Sequence, residues 1–350
     1  MKKLMFVTAS MTRGGAERVI SILSDYYVKH GWDVSIMVLF NGLEGYTINK
    51  DVKIIDHTSS RPSRLRFFEC VHLARKTIKK EKPDVVLSFL VSICLIMGFA
   101  CIGLKTKLVC CERNDPAKTK RNVLYRKIIN IIYAKCSKTV LQTKRAFDFF
   151  PDSVQKNSVI IPNPVKVDVK CNPTQDRFVA LGRLTKQKNH RLLIDAFCAV
   201  HAKHPSWSLD IYGDGVLEEE IKAQISSLNL EDCVHLKGNR KDIHKEIENA
   251  SCFVLSSDYE GLSNALIEAM QMGMCCISTN CAGSDDAIEN KKNGLLVPVK
   301  DLEALTQAMM FAIENPAERM AMGEMAYKTS QSYRVDNVID LWKEVIENLN

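Results

Sequence analysis

Two acidic residues, Glu260 and Glu268, have the spacing and the neighbours to bind a polar ligand together. Glu260 falls in a predicted loop beside Gly261, and Glu268 falls in the second turn of a helix predicted to begin near Ser263. The unpaired N–H groups at the start of that helix attract anions such as phosphate. Glu268 could accept hydrogen bonds from the vicinal hydroxyls of a ribose, and Glu260 could meet a second polyol or a developing positive charge. A solvated amphipathic helix, the alternative, would not place Glu268 inside an apolar run.

A basic loop precedes this pair in the sequence. It follows a predicted strand and reads Gly182-Arg183-Leu184-Thr185-Lys186-Gln187-Lys188-Asn189. Arg183 offers a planar fork of donors and Lys188 a point charge, and both side chains could reach a diphosphate. A solvated basic loop without a ligand explains the same residues equally well.

Two glycine-rich turns mark further strand ends. Gly14-Gly15 follows the first predicted strand, and a phosphate or sugar could approach the backbone there beside the charge of Arg13. Gly213-Asp214-Gly215 opens a later helix, where a tight turn without ligand contact is the alternative. Neither the G-x-G-x-x-G dinucleotide fingerprint nor a P-loop is present in the sequence.

The elements that must position these loops alternate between short apolar strands and amphipathic helices. Such alternation indicates α/β domains with parallel sheets that bind ligands at the carboxyl ends of their strands. The pattern stops at Pro162-Asn163-Pro164 and then starts again, which predicts two Rossmann-like domains whose parallel sheets face each other across a cleft. We place the two domains at 1–165 and 166–328, followed by a helical tail at 329–350. The predicted strands are 3–9, 33–39, 52–55, 85–89, 107–111, 139–141, 158–161, 177–181, 208–212, 234–236, 252–255, 276–279 and 294–297.

One segment, residues 85–104, contains no charged residue and is long enough to be a transmembrane helix. Its first six residues favour a strand, it follows Pro83-Asp84, and two serines and two glycines dilute its apolar character. We therefore interpret it as a buried parallel strand that leads into a buried helix.

Positive charge is concentrated in the first half of the chain. Residues 1–165 contain 28 Lys and Arg against 13 Asp and Glu, a charge of +15, whereas residues 166–350 carry −8. The asymmetry indicates an anionic partner for the first half. The cations form no helix-turn-helix, zinc-finger or aromatic RNA-binding pattern, so we expect an anionic membrane surface and no nucleic acid. A basic helix within 61–82 would make the contact, although a solvated basic face explains that stretch equally well.

The composition is otherwise that of an ordinary globular protein, with 46% hydrophobic and 25% charged residues in 350. The chain shows no apolar segment of a signal peptide near its start. We therefore expect a cytoplasmic protein whose thirteen cysteines are reduced and mostly buried. No C-x-x-C sequence occurs, which argues against a zinc site.

Taken together, the motifs resemble those of the retaining glycosyltransferases of family four, also called glycosyl transferases group one, which have the GT-B fold. The resemblance extends over nearly the whole chain. It rests on the E-x7-E spacing of Glu260 and Glu268, on Gly182-Arg183-Leu184 followed by Lys188-Asn189, and on the turns Gly14-Gly15, Gly213-Asp214-Gly215 and Ala282-Gly283-Ser284.

The resemblance implies transfer of a hexosyl or N-acetylhexosaminyl group from a nucleotide sugar, expected to be UDP-linked, to a saccharide carried on polyprenyl diphosphate. The second domain would hold the donor, the first would hold the acceptor, and the last helix would cross back to the first. Such an enzyme would assemble surface polysaccharide or glycan as a peripheral protein at the inner face of the cytoplasmic membrane. It would need no cofactor and no metal ion, in keeping with the absence of an Asp-x-Asp sequence.

The same analogy assigns roles to single residues. Glu260, Arg183 and Lys188 would be catalytic. The residues that would bind the donor are Gly15, Gly182, Leu262, Ser263, Asn264 and Glu268, and those that would bind the acceptor are Arg13, Glu112 and Arg113. Many relatives carry a histidine in the loop at 111–116, where this chain has Arg113, so the contact to the sugar 6-position stays open. Two other functions also stay open: a nucleotide-sugar epimerase, which needs no acceptor, and a non-catalytic glycan-binding subunit.

Overall fold

A computed structural model describes residues 1–12, 14–40, 42, 45–57, 66–118 and 122–349 of the chain. The chain forms two compact units, here called unit 1 (Met1–Pro164 with Asp336–Asn350) and unit 2 (Val165–Val335). Each unit is a parallel β-sheet covered by helices, so the prediction of an α/β protein with two Rossmann-like domains is confirmed.

Unit 1 contains a seven-stranded parallel sheet of order β3-β2-β1-β4-β5-β6-β7. Its first strand lies inside the sheet, third from one edge, and the chain continues to one side through β2 and to the other through β4. In chain order the elements are β1 (Lys3–Thr8), α1 (Gly15–Lys29), β2 (Asp33–Val38), β3 (Lys53–Asp56), α2 (Arg66–Glu81), β4 (Val85–Phe89), α3 (Val91–Ala100), β5 (Lys107–Cys111), α4 (Val123–Lys135), β6 (Lys138–Leu141), α5 (Lys144–Phe149), α6 (Asp152–Gln155) and β7 (Ser158–Ile160).

The central strands of unit 1 are buried on both faces, which explains their continuous apolar sequences. Met5 and Val7 of β1 belong to a core that they share with α2, α3 and α4. Phe6, between them, points to the opposite face, where its ring centroid is 6.3 Å from that of Phe89. The strand followed by a helix that we predicted for residues 85–104 is confirmed as β4 and α3. Within the described part of the chain, no helix combines the length and apolar character needed to cross a bilayer.

Unit 2 contains a six-stranded parallel sheet of order β10-β9-β8-β11-β12-β13. The strands β8 and β11 are neighbours, but the chain leaves them toward opposite edges of the sheet. The elements are β8 (Gln175–Leu181), α7 (His190–His201), β9 (Ser208–Tyr212), α8 (Glu218–Ser227), β10 (Val234–Gly238), α9 (Ile243–Ile247), β11 (Ala250–Leu255), α10 (Asn264–Gln271), β12 (Cys275–Thr279), α11 (Ser284–Ala287), β13 (Leu295–Val297), α12 (Leu302–Glu314), α13 (Pro316–Ser330) and a 3₁₀ turn (Gln331–Tyr333).

This arrangement makes the junction of β8 and β11 the topological switch point of unit 2. Loops that leave neighbouring strands in opposite directions open a crevice at the carboxyl ends of those strands, and ligands of open α/β sheets bind there. Helices α7, α8 and α12 cover one face of the sheet, and α10 covers the other.

The last helix, α14 (Val335–Glu347), joins unit 1. Its strongly amphipathic sequence buries Val338, Ile339 and Trp342. The Trp342 ring centroid is 6.3 Å from that of Phe89 at the end of β4. The chain changes unit at Asp336 rather than at 329, because residues 329–335 still pack with unit 2.

All thirteen cysteines are unpaired, and each of them is buried or half-buried. They lie mainly in strands and the helices that cover them, so they act as small apolar side chains of the core. Burial raises the pKa of the Cys101 thiol to about 12 and that of Cys171 to about 11, which keeps both protonated.

Candidate functional site

The candidate site lies at the switch point of unit 2, where two loops follow β8 and β11. We call residues 182–189 the basic loop and residues 256–263 the acidic loop. Both loops carry residues that the sequence marked for chemistry, although about 70 positions separate them in the chain. Their proximity follows from the parallel pairing of β8 with β11.

Hydrogen bonds fasten the two loops to each other. The backbone N–H of Asp258 donates to Gln187 O at 2.8 Å, and the Ser256 hydroxyl donates to Lys188 O at 3.0 Å. Asn189 donates from Nδ2 to the Asp258 carboxylate at 2.8 Å. Side chains of one loop thus satisfy backbone groups of the other, which holds both in a defined conformation.

An ion pair joins the predicted catalytic residues of the two loops. Lys188 Nζ lies 2.6 Å from Glu260 Oε1, and the two side chains are only 14% and 11% exposed. The Ser257 hydroxyl also donates to Glu260 Oε1, at 2.8 Å. Because both charges are largely removed from water, each depends on the other for compensation.

Gly182 makes room for this pair. A Cβ atom at residue 182 would lie 3.0–3.3 Å from three carbons of the Lys188 side chain, a distance too short for unstrained contact. The glycine therefore lets the Lys188 stem cross the end of β8 toward Glu260.

Arg183, the third predicted catalytic residue, is not part of the ion pair. Its side chain is exposed and has no hydrogen-bond or ion-pair partner among the residues that the structure describes. An exposed guanidinium at the mouth of a crevice can turn toward an anion that enters it.

Helix α10 begins directly after the acidic loop. Ser263 caps it, with its hydroxyl accepting from the N–H of Leu266, and Asn264 is the first helical residue. Leu262 and Ser263 are buried at this end of the helix. The first backbone N–H groups of an α-helix have no partner within the helix, so this end attracts anions.

The turn at 281–284 supports the acidic loop from its other side. Gly283 has φ +83°, and a Cβ there would be 2.3 Å from the carbonyl oxygen of Gly261. Only glycine combines this backbone conformation with such a close approach. The third glycine turn that the sequence marked thus positions the loop that carries Glu260.

Glu268 projects from the second turn of α10, and its side chain is mostly buried. One carboxylate oxygen, Oε2, lies 3.4 Å from His244 Nε2 on α9. The sequence did not mark His244, because nothing in the local pattern distinguishes it from other half-buried positions of a short helix.

A second unmarked residue is His190, which begins α7 behind the basic loop. It is buried, and burial together with the nearby charge of Lys188 lowers the pKa of His190 to about 4. The imidazole is therefore neutral at physiological pH.

In unit 1 the glycine turn starts α1. Gly14 is the N-cap and Gly15 the first, exposed residue of the helix. A Cβ at Gly14 would be 2.3 Å from Glu17 Oε2, so the glycine leaves space for the Glu17 side chain, which also accepts from the Ser10 hydroxyl at 3.1 Å. Arg13 lies outside the described residues.

The predicted acceptor residues Glu112 and Arg113 follow β5 and point into unit 1. Glu112 accepts from the hydroxyl of Tyr133 at 3.2 Å. Arg113 is 6% exposed, donates to Asn163 Oδ1 at 3.3 Å, and has its guanidinium carbon 5.0 Å from the Phe89 ring centroid. Burial lowers the pKa of Arg113. In this position both residues lie beneath the carboxyl edge of the sheet.

Within the described ranges, no group of three or more His, Cys, Asp or Glu side chains is arranged to hold a metal ion.

Two family models match the chain, one in each half. Residues 166–329 match the model described as glycosyl transferases group 1, and residues 13–169 match the model described as glycosyltransferase family 4. The two matches meet where the chain passes from unit 1 to unit 2.

Similar proteins cover the chain from end to end. The amylovoran biosynthesis glycosyltransferase AmsD of Erwinia amylovora is 26% identical over an alignment of 359 positions, which covers 99% of each chain. The GalNAc-α-(1→4)-GalNAc-α-(1→3)-diNAcBac-PP-undecaprenol α-1,4-N-acetyl-D-galactosaminyltransferase of Campylobacter jejuni is 25% identical over an alignment of 358 positions, which covers 99% of this chain and 98% of that one.

Solved structures extend the comparison to the fold. HepE of Anabaena, in complex with UDP and with UDP-glucose, aligns with TM-scores of 0.82 and 0.81 over 100% of both chains. The sequence identity is 17%. At this identity the likeness shows the shared fold alone.

Proposed function

The chain belongs to the group 1 glycosyltransferases with the GT-B fold, and from that premise we propose that it transfers a hexosyl or N-acetylhexosaminyl group from a UDP-linked sugar to a saccharide on polyprenyl diphosphate, with retention at the anomeric carbon. The observation that carries the proposal is the Lys188–Glu260 ion pair beside the start of α10. It puts a cation, a carboxylate and the N-terminal N–H groups of a helix at one switch point, as a nucleotide sugar requires.

The donor would bind in unit 2. Lys188 and the first N–H groups of α10 would bind the diphosphate, and Glu268, with His244 beside it, would accept from the ribose hydroxyls. An ammonium has three donors, so Lys188 can keep its contact with Glu260 while it donates to phosphate. UDP and UDP-glucose in the HepE structures support the choice of nucleotide.

The reaction would proceed as follows. The acceptor hydroxyl oxygen forms a bond to the anomeric carbon on the face from which the diphosphate leaves, and the bond from that carbon to the diphosphate oxygen breaks. The hydroxyl proton passes to the departing diphosphate, so the products are the new glycoside and UDP. No base from the protein is required for this step.

The charged residues would act on the leaving group. Negative charge grows on the diphosphate as the bond breaks, and Lys188 is already oriented by Glu260, so it needs no reorganisation. Arg183 is free to supply a second cation. A preorganised donor of this kind contributes a factor of about 10² to 10³ in rate.

We also propose that the reaction needs no metal ion, because Lys188 and Arg183 supply the positive charge that a divalent cation would otherwise bring to the diphosphate. Transfer should therefore persist in excess EDTA. Complete loss that Mg²⁺ or Mn²⁺ restores would contradict this part of the proposal.

The acceptor would bind to unit 1, whose carboxyl sheet edge is lined by buried polar side chains. Gln142 donates to Asn163 at 2.6 Å, and Asn163 also accepts from Arg113. Glu112 and Arg113 would thus support an acceptor surface from beneath. The name of the Campylobacter jejuni relative, which contains PP-undecaprenol, supports a lipid-linked acceptor.

A lipid-linked acceptor would require contact with the inner face of the cytoplasmic membrane. Unit 1 exposes cations on α2, namely Lys76, Lys79 and Lys80, together with Phe68 on the same helix, which is 69% exposed. Apolar and basic residues on one helix favour peripheral binding to an anionic leaflet. The predicted cations Arg61 and Arg64 lie outside the described residues.

A panel of UDP and GDP sugars tests the proposal, with release of the nucleoside diphosphate measured with and without a polyprenyl-diphosphate saccharide. We expect release from a UDP sugar only when the acceptor is present, and an NMR spectrum of the product with the anomeric configuration of the donor. Conversion of the sugar without an acceptor would indicate an epimerase. Binding of saccharide without turnover of any donor would indicate a non-catalytic subunit, and an inverted product would exclude retention.

A further inference from the structure

Gln271, the last residue of α10, uses its side-chain amide to bind two distant parts of the backbone. Its Nε2 donates to Val165 O at 3.1 Å and to Ser330 O at 3.4 Å, and its Oε1 accepts from the N–H of Val167 at 3.2 Å. The side chain is 3% exposed, so water does not compete for these bonds.

The segments that Gln271 binds are those by which the chain enters and leaves unit 2. Val165 is the first residue of unit 2 and Val335 is its last. We call residues 165–167 the entry segment and residues 330–335 the exit segment. They also pair directly, because Val165 donates to Tyr333 O at 2.9 Å and forms a parallel bridge with Arg334.

Helix α10 connects this junction to the proposed donor site. The helix has eight residues, so about 12 Å separates its ends. Ser263 and Asn264 lie at the end toward the acidic loop, and Gln271 lies at the other. Four of its residues are buried in the core, and a close-packed interior transmits strain from one end of a short helix to the other.

We propose that Gln271 is a positioning residue that couples the donor end of α10 to the entry and exit segments. The proposal rests on the proposed function only in taking the N-terminal end of α10, which follows the acidic loop, as the donor site. Glutamine suits the task because one side chain must both donate to carbonyl oxygens and accept from an N–H. Glutamate would place a carboxylate oxygen against two carbonyl oxygens, and methionine would remove the acceptor of the Val167 N–H and one donor from each of Val165 O and Ser330 O.

Amide hydrogen exchange on the full-length wild-type protein gives the first test. Val167 lies outside every helix and strand of the described chain, and its N–H has Gln271 Oε1 as its partner. We expect its exchange to be slowed at least a hundredfold relative to an unstructured peptide. Exchange at the rate of an exposed loop would overturn the proposal without any variant.

The variants Gln271→Met and Gln271→Glu give the second test. We expect exchange in the entry and exit segments to become at least tenfold faster in both. Gln224→Met is the matched control, since Gln224 also makes two side-chain hydrogen bonds in unit 2 but binds Arg191 and Asp195, away from these segments. Equal exchange of the entry and exit segments in Gln271→Met and wild type would overturn the proposal.

The effect of UDP on amide exchange tests whether Gln271 couples the donor site to the entry and exit segments or only stabilises those segments. In the wild type, UDP should slow exchange in the entry and exit segments at least threefold, and Gln271→Met should lose this effect while its UDP affinity stays within about twofold. Turnover should fall at least tenfold with little change in the KM for donor. The same UDP-induced protection in Gln271→Met would disprove the coupling. If the wild type binds no UDP, the assignment of the donor site is wrong. Slow exchange at Val167 would still show that Gln271 binds the entry segment.

Discussion

At the scale of single residues, the Lys188–Glu260 ion pair is the feature on which turnover should depend most. We predict that Lys188→Ala and Glu260→Gln each lower kcat at least tenfold, because the first removes the cation and the second removes the carboxylate that orients it. Lys186→Ala is the control, since Lys186 lies in the same loop but is exposed and makes no contact with a carboxylate among the described residues. Near-normal turnover in Lys188→Ala, with circular dichroism unchanged, would remove Lys188 from the site.

A second effect at this scale concerns His190 and pH. The pKa of His190 is about 4 in the folded chain, against about 6.5 when unfolded. Between these pH values the unfolded chain binds a proton at His190 that the folded chain does not, and this favours unfolding. The contribution of neutral His190 to the free energy of unfolding is therefore fully present above pH 6.5 and is lost as the pH falls toward 4. We predict that the wild type loses up to about 3 kcal/mol more stability over this range than His190→Gln. Denaturant unfolding at pH 7 and 4.5 measures the difference, and parallel pH profiles would refute it.

At the scale of elements, the acidic loop depends on the turn that backs it. Gly283→Ala would force a left-handed backbone on a residue with a Cβ and push that Cβ against Gly261 O. Gly238→Ala is the matched control, because Gly238 has φ +63° and open space around the added atom. We predict that the free energy of unfolding falls by about 1 kcal/mol in the control and by at least about 2 kcal/mol in Gly283→Ala. Gly283→Ala should also bind UDP more weakly. Equal decreases in the free energy of unfolding of the two variants, measured in urea, would show that the acidic loop shifts to accommodate the added Cβ.

At the scale of the whole molecule, the basic first half of the chain should bring unit 1 to an anionic membrane. Each Lys or Arg near such a surface contributes about 1 kcal/mol, and salt screens the attraction within about 8 Å. We predict flotation with anionic liposomes at low salt, release at high salt, and weaker flotation when Lys76, Lys79 and Lys80 are replaced by Gln. Arg75 is left unchanged, because it donates to Ala100 O at 2.9 Å and to Ile102 O at 2.7 Å.

The control for this prediction replaces the same number of exposed lysines in unit 2: Lys203, Lys291 and Lys328. That variant should float like the wild type. Equal loss of flotation in both triple variants would indicate a general effect of net charge. If the wild type fails to float at every salt concentration, unit 1 does not bind the anionic membrane proposed for it.

The sequence by itself determined the strand and helix order, the two parallel sheets and the composition of the site loops. Residues 85–89 could be read as a buried strand because apolar character is a local property of consecutive residues. Gly182 and Gly283 were visible in the sequence only as members of the motifs Gly182-Arg183-Leu184 and Ala282-Gly283-Ser284. The structure showed what they make room for, which is the Lys188 side chain and the carbonyl oxygen of Gly261.

Only the tertiary structure decided which of these residues meet. Lys188 and Glu260 pair because β8 and β11 lie side by side, whereas Arg183, five positions before Lys188, has no side-chain partner in the part of the chain that the structure describes. Arg113 proved to be buried, and Gln271 binds backbone groups more than a hundred positions earlier in the chain. The physical reason is that hydrogen bonds and ion pairs between distant segments depend on strand order and packing, which no local pattern of residue types specifies.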